Sequence, residues 1–171
     1  MFNYLRIHYD ELLSHCSAGE EPLALAMVAY APGNEEIGEE PSGVTFDLNG
    51  LSVENWERGL DRLLVGDTLF APEGGMAMKL RQAALGQPEL LLTSHRLVAL
   101  EGFLASEEGT VVAWSCPLED VATVRHNPRF LQAGRMLVIF EDGSAIRLMA
   151  GVVSAKRARR LAEEFHRLTG R

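Results

Sequence analysis

Apolar residues along this chain first recur at helical steps of three and four, and beyond about Asp67 they mostly alternate as strands do. Ahead of that change, Phe2, Leu5, Tyr9, Leu12, Leu13 and Cys16 form one helical stripe, which Ser17-Ala18-Gly19 ends. Leu23 to Ala31 is apolar on all sides after Pro22 and fits a buried strand or a buried helix. Val44, Phe46 and Leu48, alternating with Thr45 and Asp47, supply a partner and favour the strand. Pro32 to Pro41, rich in breakers and like charges, reads as a loop. After the Asn49-Gly50 turn, Val53, Trp56, Leu60, Leu63 and Leu64 return to helical spacing, closed by Gly66.

In the second part Met76, Met78 and Leu80 alternate with Ala77, Lys79 and Arg81, which predicts a strand, and Gly86-Gln87-Pro88 turns the chain. Leu90 to Thr93 and Leu97 to Leu100 make the next pair about the break Thr93-Ser94-His95-Arg96. Val112, Trp114, Cys116 and Leu118 share one face of a further strand, and Val121 to His126 gives another. Leu137 to Phe140 and Ile146 to Leu148 flank Glu141-Asp142-Gly143-Ser144, a hairpin signal. Ser154 then caps a helix whose Ala158, Leu161, Ala162, Phe165 and Leu168 form a single apolar stripe. The expected class is α+β: a bent antiparallel sheet or partly open barrel of about seven strands, capped by a C-terminal helix and preceded by an acidic α/β extension. The expected division is residues 1–59 for the extension and 60–171 for the sheet domain.

With 171 residues, 47% of them hydrophobic, the chain can bury a substantial core. Its net charge of −8 is unevenly spread. Residues 1–74 hold 14 Asp/Glu against 3 Lys/Arg, a net of −11, while residues 75–171 hold 10 against 13, a net of +3. The acidic balance argues against nucleic acid as a partner, because phosphate backbones carry the same sign of charge. Cys16 and Cys116 lie 100 positions apart with no CxxC spacing, and neither a leader nor a membrane-spanning run is apparent; a cytoplasmic protein with reduced thiols is expected.

Catalytic signatures are missing from the sequence: there is no Gly-x-Ser-x-Gly, Gly-x-Gly-x-x-Gly, phosphate-loop or His-Glu-x-x-His pattern. No enzyme, cofactor or metal is therefore expected. His8 and His15, with Cys16 beside them, are two turns apart on a helix and fall short of the four ligands a structural zinc takes. Cys116, in the phase of Trp114, reads as a core thiol. His95 in its turn has no evident partner, and His126-Asn127-Pro128 reads as a strand end.

Leu90-Leu91-Leu92-Thr93-Ser94-His95-Arg96-Leu97, then Pro117-Leu118-Glu119-Asp120-Val121 and the Asp142-Gly143-Ser144 hairpin with its following helix, resemble the bacterial pleckstrin-homology-like domains, relatives of GRAM domains. The resemblance spans roughly residues 60–170 and implies a non-catalytic scaffold that binds proteins or phosphoinositides. In lipid-binding relatives a Lys-x-Arg pair on the first hairpin holds phosphate. The matching positions here are Lys79 and Arg81, with Arg96 and Arg125 as neighbouring candidates.

A second basic cluster, Lys156, Arg157, Arg159 and Arg160, opens the last helix, where the helix dipole disfavours cations. Pairing with Glu163 or Glu164 would make it structural; without such pairing it suits a partner. The leading expectation is a module for protein–protein interaction, including a second copy of itself as a homodimer. A peripheral module for anionic phospholipid is the alternative. A third reading is a small-molecule carrier, or an enzyme without these signatures, using a cavity between the acidic part and the sheet.

Overall fold

The computed structural model describes residues 4–30, 34–37, 67–103, 109–128, 132–151 and 155–171. The N-terminal apolar stripe folds as two short helices, α1 (Tyr4–Ile7) and α2 (Tyr9–Ser14), separated at His8. The apolar run after Pro22 is strand β1 (Pro22–Met27), followed by β2 (Asn34–Ile37), β3 (Asp67–Ala71) and a helix, α3 (Met76–Ala84). A meander of β4 (Glu89–Thr93), β5 (Arg96–Glu101) and β6 (Val111–Pro117) leads through a 3-10 turn, Leu118–Asp120, to β7 (Val121–His126). Strands β8 (Arg135–Phe140) and β9 (Ala145–Met149) form the hairpin, and helix α4 (Lys156–Thr169) closes the chain.

The strands make two sheets, ordered β1-β4-β5-β6 and β2-β3-β9-β8-β7, antiparallel throughout except for the β2–β3 pair. Strands β4 to β9 are the part of the framework that the alternating pattern predicts; β1 fits the strand reading of the apolar run after Pro22, and β2 and β3 are added to one edge. Residues before position 60 thus extend both sheets: Leu25 of β1 pairs with Leu91 of β4, and Asn34 to Ile37 run beside β3. The bridge Ala29–Met149 carries the chain from β1 across to β9.

Alternation determines which residues meet between the sheets. Leu90, Leu92, Leu97, Ala99, Trp114 and Cys116 from one sheet share a core with Leu69, Val124, Met136, Val138, Phe140, Ile146 and Leu148 from the other. Helix α4 packs on β7 and β1, and so on both sheets at once, through Ala158, Leu161 and Phe165. Helix α3 likewise packs on β3, β9, β5 and β6, burying Ala77, Leu80 and Ala84. The outer face of the first sheet is covered too: Leu12 of α2 is buried with Leu25, Leu91, Val98, Leu100 and Phe103. Full burial of a leucine of this kind contributes roughly 1.5–3 kcal/mol.

Three expectations need correcting. Residues 76–81 are helix, not strand: Met, Ala, Lys, Leu and Arg all favour helix, and the buried positions 77, 80 and 84 of Met76–Ala84 keep helical steps. Val112 does not share the buried face of Trp114, since a register shift between Ala99 and Leu100 turns it outward to 42% exposure. Leu118 is buried but lies in the 3-10 turn rather than in β6. The strand expected at Val44–Leu48, the helix expected over Val53–Leu64 with its Gly66 stop, Ser154 and the 59/60 boundary lie outside the described residues.

Candidate interaction surface

Helix α4 turns Ala158, Leu161 and Phe165 inward, and the same periodicity places Lys156, Arg159, Arg160, Glu163 and Arg167 on the opposite, exposed side. No acidic residue occupies its first turn, and Ala155 at the N-cap makes no side-chain cap. The pairing that would make the cluster structural does not form: Glu164 binds Arg167 instead, Nε to Oε2 at 2.7 Å. Among the described residues neither Arg159 nor Arg160 has an acid within ion-pair distance, whereas Lys156 and Arg157 each already make an interaction. The cluster therefore narrows to two guanidinium groups, without an acidic partner among the described residues, at the end of the helix whose dipole opposes them.

The opposite end of α4 meets acid. Arg171 Nη1 donates to Glu141 Oε1 at 2.6 Å, and Glu141 N donates to Asp120 O at 2.9 Å. This brings the exposed Glu119, Asp120, Glu141 and Asp142 to one corner beside the helix C-terminus. Asp142 has a structural task there: its Oδ2 accepts from Met76 N at 2.8 Å, while Ser144 Oγ accepts from Ala77 N at 3.0 Å, so the β8–β9 turn caps α3 from 66 residues away. Cys116 lies in the core beneath this corner, and burial, with Asp120 and Asp142 adding to it, pushes its thiol up to about 12.

The four cations expected to hold phosphate are dispersed. Lys79 is exposed on α3; Arg81, also on α3, lies over the Tyr30 ring at 5.3 Å; Arg125 is on β7 in the second sheet. Arg96 is committed to the fold. Its Nε donates to Glu20 Oε1 at 2.8 Å, and its Nη2 donates to Glu20 Oε2 at 3.1 Å and to His15 O at 2.8 Å.

Glu20 is only 3% exposed and collects further donors. Ser17 N donates at 2.7 Å, and Thr93 Oγ1 also donates to it while accepting from Arg96 N at 2.9 Å. Burial acts to raise the Glu20 carboxyl, but the hydrogen bonds from Arg96, Ser17 and Thr93 and the guanidinium charge outweigh it and hold the group down to about 2. The same bond from Arg96 to Glu20 raises the guanidinium against the opposing effect of its own burial. The Thr93-Ser94-His95-Arg96 turn is thus a clasp for the N-terminal segment, reinforced by Glu21 N donating to Ser94 Oγ at 3.0 Å.

Comparison with known proteins was sparse. No family model and no curated protein matches the sequence. Among solved structures, the Vps36 N-terminal PH domain is similar at 15% identity with a TM-score of 0.37, over 87% of this chain and 83% of that one. At that level the likeness adds nothing to the architecture, which stands on the strand register.

The remaining histidines have structural surroundings. His8 sets its ring edge-on to Phe103 at 5.3 Å, and His126 Nε2 donates to Ala133 O at 2.7 Å. His95 is exposed in its turn and uses its carbonyl, which accepts from Leu118 N at 3.0 Å. Sequence reasoning missed Glu20 and Asp142, whose partners lie 76 and 66 residues away. The Ser17-x-x-Glu20 spacing, a tight turn in which Glu20 N donates to Ser17 O and the Glu20 carboxylate accepts from Ser17 N, is the local signal that singles out Glu20.

Proposed function

We propose that this chain is a non-catalytic binding module that engages another protein through the exposed face of α4, with Arg159 and Arg160 at the centre of the contact. The carrying observation is that both are exposed, lack an acidic partner among the described residues, and sit where helix electrostatics oppose them. Charge retained against local stability suits use at an interface, where Arg is enriched. The resemblance of residues 60–170 to pleckstrin-homology-like domains supports the same class.

Lipid phosphate is the weaker reading. A phosphate clamp needs its cations convergent, whereas Arg81 stacks on Tyr30, Arg96 is bound to Glu20, and Arg125 belongs to the other sheet. Among the described residues no helix is long and apolar enough to cross a membrane.

The test places the photo-crosslinker p-benzoylphenylalanine at position 163, beside the two arginines, in the full chain exposed to its native extract. A crosslinked protein product, a second copy included, that disappears in an R159S/R160S background is expected. Absence of any protein product, or a product indifferent to that double substitution, would refute the reading.

A further inference from the structure

Helix α4 has exposed basic residues in its N-terminal half, and beside its C-terminus stands an exposed acidic corner supplied by other elements, where Arg171 is already paired with Glu141. Arg159 and Arg160 lie in its N-terminal half, while Glu119 and Asp120 stand at the corner that Arg171 ties to its C-terminus through Glu141. Glu119 and Asp120 have no ion pair among the described residues, just as the two arginines have none. From Arg159 to Thr169, the last residue of the helix, the chain rises about 15 Å, nearly twice the screening length of roughly 8 Å at physiological ionic strength. The two charge clusters of one molecule therefore scarcely neutralise each other. Turning a second copy about a two-fold axis perpendicular to α4 brings each basic end onto the other's acidic corner.

We infer that the partner of the α4 face is a second copy of this chain, the two α4 helices lying antiparallel across a two-fold axis. Arg159 and Arg160 of each copy then meet Glu119 and Asp120 of the other. This rests on the reading of α4 as the contact surface and adds the identity of what covers it. Charge complementarity selects the occupant, since an isologous contact satisfies both clusters twice with one geometry. A flat anionic membrane fits less well, because the exposed Glu119, Asp120 and Glu141 beside the far end of α4 would be repelled by it. The net charge of −8 on each copy opposes association at low salt, and screening leaves mainly the short-range pairs in play.

Charge reversal provides the test, using sedimentation velocity on the full chain over a concentration series at physiological salt. Wild type should dimerise in the micromolar range. R159E/R160E and E119R/D120R should each be monomeric alone, because reversal of either cluster sets like charges together. An equimolar mixture of the two variants should recover the dimer, as every contact is again between opposite charges. R159S/R160S, which only removes charge at exposed positions, should weaken the dimer about tenfold; circular dichroism like that of wild type confirms the fold of each variant. A monomeric wild type, unaffected variants, or a mixture that stays monomeric would overturn the inference. Failure of the α4 reading itself would be distinct: the crosslinker at position 163 would then capture no protein at all.

Discussion

At the residue scale the strongest single statement concerns Glu20. Its carboxylate is buried, held by Arg96, Thr93 and the Ser17 amide, and depressed to about 2 from an ordinary value of 4.5. A depressed carboxyl binds fewer protons when folded than when unfolded, so the stabilisation it gives is complete above about pH 4.5 and is lost as pH falls toward 2. Removing one partner of a buried pair typically costs about 3–5 kcal/mol. Urea unfolding of E20Q is therefore expected to show a loss on the order of 3 kcal/mol at neutral pH, and a flatter decline than wild type below about pH 4.5. Equal stabilities at pH 7, or parallel acid limbs, would show that the clasp contributes little. The sequence suggests Glu20 only through its spacing from Ser17, because the identity of the guanidinium opposite it depends on β1 pairing with β4.

Among the elements, what was legible depended on how far apart the interacting residues lie in the chain. The β4–β5 and β8–β9 hairpins follow from alternation because both strands and the turn between them are neighbours in sequence. The stripe of α4 is equally plain, since Leu161 and Phe165 are large enough to mark a face. Helix α3 was hidden because alanine marks no face: with Ala77 and Ala84 carrying the buried side, the visible apolar residues were Met76, Met78 and Leu80, which alternate. The pairing of β1 with β4 had no local trace either, and the register shift in β6 that exposes Val112 depends on a bulge with no Gly or Pro to signal it. Helix α3 gives an element-scale prediction. Its first amides are capped only from the β8–β9 turn, so D142A should cost about 1 kcal/mol in thermal or chemical unfolding, as loss of a cap usually does. Amide exchange at Met76 and Ala77 should quicken more than at Leu80, and uniform exchange along the helix would contradict the capping role.

For the whole molecule, the basic opening of the last helix was visible in the sequence, whereas the fate of each cation was not. Rotamers and neighbours decide that Glu164 takes Arg167, that Arg159 and Arg160 have no acidic partner among the described residues, and that Arg96 serves the fold. The far acidic corner comes to lie beside α4 only because Arg171 ties the C-terminus of the helix to Glu141, which is what the proposed pairing with the basic end requires. Two apolar layers cover the first sheet, one inside and one under α2, and the contact proposed above uses the charged ends of α4 instead. The most direct measurement is the backbone amide spectrum of the isotopically labelled full chain as its concentration is raised through the micromolar range. The account predicts concentration-dependent shifts confined to α4 and to residues 118–120 and 141–142. Shifts centred elsewhere, such as on α2 or the β4–β5 turn, or none at any concentration, would contradict it.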